Sequence, residues 1–254
     1  MAIDEAILES VAARHALPTL RLYSWTPACL SLGYAQPIGQ VDTSRLAERG
    51  WGLVRRPTGG RAILHTDELT YSIASAADDP HVTGGVLASY RHLSAGLTRA
   101  LSLLGLRVEI QPQERLSNDA RENPVCFEVP SAYEITVDGR KLVGSAQVRR
   151  KGGVLQHGSL PLQGDLARIT DVLRYRSRAE RAQAAEQVRS RAATVGELLG
   201  RQVSWEDAAQ ALVDGFQQAL GIRLEAADLT DAEQERCRAH LAERYLLPAW
   251  TERN

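Results

Sequence analysis

The dipeptide Asp138-Gly139 constrains the fold of this chain more than any other feature. It sits inside "AYEITVDGRKLVGSAQVRR", between two stretches that read as strands. A two-residue Asp-Gly loop needs left-handed backbone at both positions and suits a tight antiparallel hairpin. An antiparallel sheet is therefore expected, and the other segments can be arranged around it. "TLRLYSW" and "CLSLGYAQ" read as two strands with Thr26-Pro27 as the turn between them. "WGLVRRPTGGRAILHTDELTYSIA" offers a strand, a glycine turn and two further strands, and "LRVEIQP" and "KGGVLQHGSLPL" add one each. Two amphipathic segments, 1–16 and 84–105, carry apolar residues at helical spacing, and the second stops at Gly105. A short helix over "DTSRLAERG" is expected, capped by Asp42 and closed at Gly50.

Beyond residue 164 the pattern changes. "DLARITDVLRY", "ATVGELLG", "SWEDAAQALVDGFQQALG" and "TDAEQERCRAHLAERYL" all read as helices, with Ser204 and Asp207 resembling a capping box and Thr230 an N-cap. The expected fold class is α+β: a mixed, mainly antiparallel sheet packed by helices over 1–165, then a mostly helical region over 166–254 packed on the same domain. Segment 111–125 is polar, holds two prolines, has no periodicity and is expected as a loop.

Composition excludes several function classes. Net charge is −1, so bulk charge does not hold nucleic acid. No apolar run is long enough to span a bilayer, and the acidic helix at the start is no signal peptide, so a cytoplasmic location is expected. Cys29, Cys126 and Cys237 are too scattered for a disulfide framework or a metal pair. No histidine pair or carboxylate set has metal-ligand spacing, so neither a metal nor a cofactor is expected.

Two stretches carry chemistry. In "RRPTGGRAILH", two arginines leave a strand, a proline stiffens the turn, and two glycines expose backbone N–H groups that can approach a carbonyl or an anion. The spacing is neither a Walker A loop nor a dinucleotide fingerprint. On its own it also fits an ordinary hairpin with a surface arginine pair, and His65 and His157 also fit structural roles. The second stretch is "NPVCFEVPSAYEITVDGRKLVGSAQ". Only two of the 30 basic residues are lysines, Lys141 and Lys151. Arginine stays protonated in a protein, whereas lysine can give up a proton and act as acid and base. Lys151 lies in the basic turn "RRKGG", where solvation explains it. Cys29 and Cys237 read as buried or partly buried residues. Cys126 lies in a loop before a strand, where a neighbouring ammonium would lower the thiol pKa and create a nucleophile. The sequence separation of Cys126 and Lys141 leaves their distance open.

Taken together, "RRPTGGRAILH", "CFEVPSAYEITVDGRKLVGSAQ" and "LQHGSLPL" resemble the biotin/lipoate protein ligase superfamily, and most closely its lipoyl-domain octanoyltransferases of the LipM type. The resemblance covers most of 1–165. It implies an enzyme that moves an octanoyl group from acyl-carrier protein to a lysine of a lipoyl-domain protein, such as the glycine cleavage H protein or an E2 subunit. It implies a cysteine acyl-enzyme at Cys126 and an acid/base lysine at Lys141. Arg55, Arg56, Thr58, Gly59, Gly60 and His65 match the acyl-binding turn, and Gly144, Ser145, Ala146, His157 and Gly158 match the opposite wall. The two walls are expected to meet in one cleft with an apolar tunnel for the acyl chain. In relatives of this kind a strand usually precedes the first helix; here the chain starts at that helix, so either the start is misassigned or the sheet has a bare edge.

Rival activities are an ATP-dependent lipoate-protein ligase, a lipoyl amidotransferase and a silent binding protein. The ligases need no thiol at the Cys126 position and usually carry a third glycine where Arg61 stands, which favours the transferase. Residues 168–191 hold seven arginines against Asp171, Glu180 and Glu186, a net +4. This reads either as a solvated arginine-rich helix or, through Arg174, Arg176 and Arg178, as a dock for an acidic carrier protein.

Overall fold

The computed structural model describes residues 1–112 and 133–253. In chain order its first elements are α1 (Ala2–Ala12), β1 (Thr19–Tyr23), β2 (Cys29–Leu32), α2 (Thr43–Glu48), β3 (Gly52–Arg55), β4 (Ile63–His65) and β5 (Glu68–Ala76). Then come α3 (Val86–Leu103), β6 (Glu109–Pro112), β7 (Tyr133–Val137), β8 (Arg140–Arg150) and β9 (Gly153–Pro161). Five helices close the chain: α4 (Arg178–Arg191), α5 (Val195–Leu199), α6 (Trp205–Leu220), α7 (Asp231–His240) and α8 (Pro248–Thr251).

The Asp-Gly turn forms as its chemistry demands. Asp138 and Gly139 take φ of 50° and 74°, and β7 and β8 pair antiparallel across them. Lys151 and Gly152 repeat the device between β8 and β9, with φ of 50° and 77°. The six-stranded sheet that grows from these hairpins runs β1-β5-β9-β8-β7-β6, every neighbour antiparallel. A smaller sheet runs β3-β2-β4, with β2 parallel to β3 and antiparallel to β4. The fold is thus α+β with a mixed, mainly antiparallel strand set.

Period-two alternation gives the large sheet two functions. One face carries Leu69, Tyr71, Ile73, Ile135, Val143 and Leu160, all buried against Leu93, Leu97 and Leu101 of α3 and Leu212 and Phe216 of α6. Truncating one such residue to alanine removes on the order of 2–5 kcal/mol. The opposite face is shared. Ile7, Leu8 and Val11 of α1 cover Ala74 and Leu155, and the small sheet meets the remainder.

The helix ends follow their caps. The Asp42 side chain accepts from Arg45 N, Ser204 from Asp207 N, and Thr230 with Glu233 forms a complete capping box. Two segments depart from expectation. Residues 166–172 form a 3₁₀ stretch instead of an α-helix. Leu166, Ile169 and Val172 recur every third residue, which suits the three-residue turn. Leu173 then leaves it to bridge Val41. The long helix expected through residue 246 ends at His240, and Leu241–Tyr245 make a π-helical turn. The sequence reading did not find α8.

Candidate active site

Strand β3 ends on two adjacent arginines with different tasks. Arg55 is fully buried. Its guanidinium donates to six backbone carbonyls: Gly33, Tyr34 and Gln36 beside the turn, and Trp250, Thr251 and Arg253 at the C-terminal end. It fastens α8 to the turn and does not line the cavity described below. Arg56 folds back instead. It donates to Ser31 O at 3.1 Å, to Gly59 O at 2.9 Å and to Arg61 O at 2.7 Å, closing the glycine turn on itself. Gly59 and Gly60 are exposed on that turn. Their neighbour Gly33 must be glycine, because a Cβ there would lie 1.9 Å from Gly60 O.

The turn and the strand wall meet. Thr58 Oγ1 lies 2.6 Å from His157 Nε2, joining the loop after β3 to the centre of β9. Around this contact Arg56, His65, Gly144, Ser145, Ala146, His157 and Gly158 line one cavity, with Ile63, Thr70 and Ser159. Of the residues matched to the acyl site, these seven converge, Thr58 joins them through His157, Gly59 and Gly60 lie on the exposed turn, and Arg55 stands apart. The cavity volume is about 20 Å³, room for little more than one water. The walls therefore stand close together. Gly158 cannot carry a side chain, since a Cβ would sit 2.5 Å from the Tyr71 ring and 2.6 Å from Gly144 O.

The two histidines of the wall differ. His65 uses both nitrogens: Nε2 is 2.7 Å from Ser31 Oγ and Nδ1 is 2.7 Å from Glu68 Oε1. Its ring stacks on Trp25, with centroids 4.5 Å apart. Glu68 also accepts from the Thr70 and Ser159 hydroxyls. Ser31, Glu68 and Trp25 were not found from the sequence; the His65–Glu68 spacing of three, across a turn with Asp67 at φ 50°, was the available signal. Among the described residues His157 bonds through Nε2, and its buried Nδ1 has no hydrogen-bond partner. Burial pushes the imidazole down to about 3, with Asp4 opposing and Arg56 reinforcing the shift.

Lys141 reaches this side of the sheet through a register shift. Ile135 pairs with Val143, yet the next pair is Thr136 with Lys141, so Leu142 is the extra residue of a β-bulge. Leu142 and Val143 both enter the core against α3 and α6. Lys141 therefore pairs with Thr136 and shares the face of Gly144, Ala146 and His157. It is 4% exposed, and its carbonyl accepts from Ala193 N at 3.1 Å. Cys126 lies outside the described residues. Lys151 makes a surface ion pair with Glu9 at 2.7 Å. Arg174, Arg176 and Arg178 are exposed where α4 begins, with Arg174 Nε donating to Val41 O at 2.9 Å. A larger cavity of about 490 Å³ lies between Trp25, Glu68 and Trp205 and contains none of the sequence-derived candidates.

Residues 1–217 match the lipoyl protein ligase A/B catalytic domain family. The chain is 43% identical over 259 residues to the octanoyltransferase LipM of Kyrpidia tusciae, covering 100% of this chain and 93% of that protein. It is 37% identical to the octanoyltransferase LipM of Bacillus subtilis, covering 98% and 92%. Among solved structures, a bipartite lipoate protein ligase from Thermoplasma acidophilum superposes with a TM-score of 0.79 at 26% identity, covering 99% of this chain and 89% of the other. A lipoate-protein ligase A bound with ATP superposes with a TM-score of 0.77 at 26% identity, covering 99% and 92%.

Proposed function

The chain belongs to the lipoyl protein ligase A/B catalytic domain family, and within it we infer that this protein is an octanoyltransferase of lipoate assembly that acylates a lysine of a lipoyl-domain protein. The observation that carries this reading is the end-to-end similarity to proteins named octanoyltransferase. The meeting of the arginine-glycine turn with the β8–β9 wall supports it.

In the proposed mechanism octanoyl-acyl-carrier protein is the donor. The Cys126 thiolate attacks the donor thioester carbonyl, forming a new C–S bond, and the carrier thiolate leaves with a proton from the Lys141 ammonium. The neutral Lys141 amine then takes a proton from the acceptor lysine as that nitrogen attacks the acyl-enzyme, and the Cys126 thiolate is restored. Arginine cannot perform this exchange. Arg56, Thr58 and the β8–β9 residues flank the acyl group, and the exposed arginines opening α4 receive the acidic carrier.

Purified protein is given octanoyl-acyl-carrier protein and apo H protein, with and without ATP. Transfer without ATP is expected. ATP dependence would make the protein a ligase, and transfer only from an acylated H protein would make it an amidotransferase. Without acceptor, the enzyme should gain one octanoyl mass, labile to hydroxylamine and absent in Cys126→Ala. Cys29→Ser should keep the label, since burial pushes the Cys29 thiol up to about 12 and removes its thiolate. Cys237→Ser should keep it as well.

A further inference from the structure

We propose that His157 is the polar stop at the end of the acyl site, and that with Thr58 it sets the length of acyl chain the enzyme accepts. This deepens, and rests on, the octanoyltransferase reading.

Three observations carry it. First, the His157 side chain is buried in the cavity wall with Nδ1 unpartnered among the described residues, whereas His65 beside it has both nitrogens bonded. A buried polar nitrogen is costly to cover with hydrocarbon and cheap to leave facing water or a polar group. An alkyl chain advancing along the wall gains from every methylene until it meets the ring that carries that nitrogen, and gains nothing by exposing the nitrogen to hydrocarbon. Second, the position fits a terminus. His157 pairs with Ala146, four regular steps along β8 from Lys141 once the Leu142 bulge is discounted, about 13 Å at roughly 3.3 Å per residue. A lysine side chain and an extended eight-carbon acyl group placed end to end span that gap. On β8 that face carries Gly144 and Ala146 between them, with Ser159 beside Gly144 on β9, small residues over which the walls can part. Third, the stop is fixed in place. Thr58 Oγ1 holds Nε2 at 2.6 Å, so the ring cannot swing aside without breaking that bond. The imidazole is also neutral, because burial keeps it far below its usual range, so it offers a hydrogen-bonding edge rather than a charge.

Two measurements test the stop. Wild-type protein is crystallised with octanoic acid, and the terminal methyl is expected in van der Waals contact with the His157 ring. Separately, transfer from eight- and ten-carbon carrier donors is compared for wild type, His157→Leu and His157→Asn. His157→Leu removes the polar edge, so the decanoyl-to-octanoyl ratio of kcat/KM should rise about tenfold. His157→Asn keeps a nitrogen near the Nδ1 position and should retain the wild-type ratio. A purely structural histidine would lower both donors alike and leave the ratio fixed, which overturns the proposal, as does a methyl lying away from His157. If His157→Leu does not fold, the crystal arm decides alone. If wild type transfers no octanoyl group yet octanoic acid ends on His157, the function fails and the stop stands. Transfer with an unchanged ratio leaves the function and removes the stop.

Discussion

Two of the polar clusters buried among the described residues are finished differently. At the seam between α1 and the C-terminal helices both carboxylates are saturated, and among the described residues only Arg150 Nε lacks a partner there. The fully buried Glu5 carboxylate takes both of its 2.7 Å bonds from Arg244, a 2.6 Å bond from the Tyr245 hydroxyl and a contact from Arg150. Glu9 accepts from Lys151, Arg236 and His240. Burial alone would raise Glu9, yet these partners hold it down to about 2. The cavity between the glycine turn and β8–β9 leaves one buried nitrogen of His157 without a partner among the described residues. Carboxylates bonded on every side fix the position of the elements around them, whereas an unsatisfied group in a cavity wall is available to a ligand. The seam holds the fold, and the proposed function places its chemistry at the wall.

The two lysines put that division to its hardest test, because Lys141 shares a sheet face with the cavity wall and Lys151 pairs at the surface with Glu9 of the seam. Lys141→Arg keeps the charge but loses the exchangeable proton, so octanoyl transfer should fall by about 10²–10⁴-fold. The acyl-enzyme should accumulate, because the second step needs a base. Lys151→Arg keeps its pair with Glu9 and should transfer at the wild-type rate. Equal behaviour of the two variants in a single-turnover assay would erase the distinction between the clusters.

Glu5→Gln tests the seam alone. It leaves Arg150 and Arg244 without their buried anion. Both arginines are partly exposed, so the loss should be about 3 kcal/mol, at the lower end for a broken buried pair. That lowers Tm by roughly 6–10 °C in a chain of this size, while kcat/KM per folded molecule holds. A fall in kcat/KM with Tm unchanged would place Glu5 in the chemistry.

The same contrast explains what the sequence could reveal. The hairpins, the capped helices and the α+β class were legible because each rests on local signals: Asp138-Gly139, and Asp42, Ser204 and Thr230 as N-caps, although the complete capping box forms at Thr230 with Glu233 and not at Ser204 with Asp207. Arg56 and His157 were legible only as motif members. The division of labour between Arg55 and Arg56 was not, because it depends on carbonyls at residues 250–253, nearly 200 positions away. The bulge at Leu142 was hidden too, since alternation alone would put Lys141 on the same face as Val143. The third residue of the His65 cluster, Ser31, sits on another strand of the small sheet and left no trace in the spacing.

Acid should find the buried groups in a fixed order. His157 titrates near 6.5 when unfolded and about 3 when folded, so the unfolded chain binds its proton first as pH falls. The stability its neutral form contributes is complete above pH 6.5 and is lost between 6.5 and 3, by about 1.4 kcal/mol per pH unit. Burial lowers His240 in the same direction. Asp4 and Glu9, each near 2 when folded, contribute stability that is present above pH 4.5 and lost as pH falls toward 2. Tm measured against pH should therefore decline from about 6.5 and steepen below 4.5. His157→Asn should flatten only the upper limb, and an unchanged slope there would mean that His157 is not held neutral.

The smallest effect is expected at neither cluster but on the exposed start of α4. Arg176 and Arg178 face solvent and make no ion pair among the described residues, while Arg174 also donates to Val41 O. Charges of this kind add little stability and act on association through a field that physiological salt screens within about 8 Å. Replacing all three by alanine should raise KM for the carrier-bound donor about three- to fivefold and flatten its salt dependence. The acceptor KM and kcat should stay put. The triple variant alone is ambiguous, because losing Arg174 loosens the 3₁₀ stretch where it crosses Val41. The double variant Arg176→Ala/Arg178→Ala keeps that bond. If the double variant reproduces the change in KM and salt slope, the carrier docks through charge at α4. If only the triple variant does, the effect comes from the Val41 contact, and α4 is a solvated helix with no part in delivering the donor.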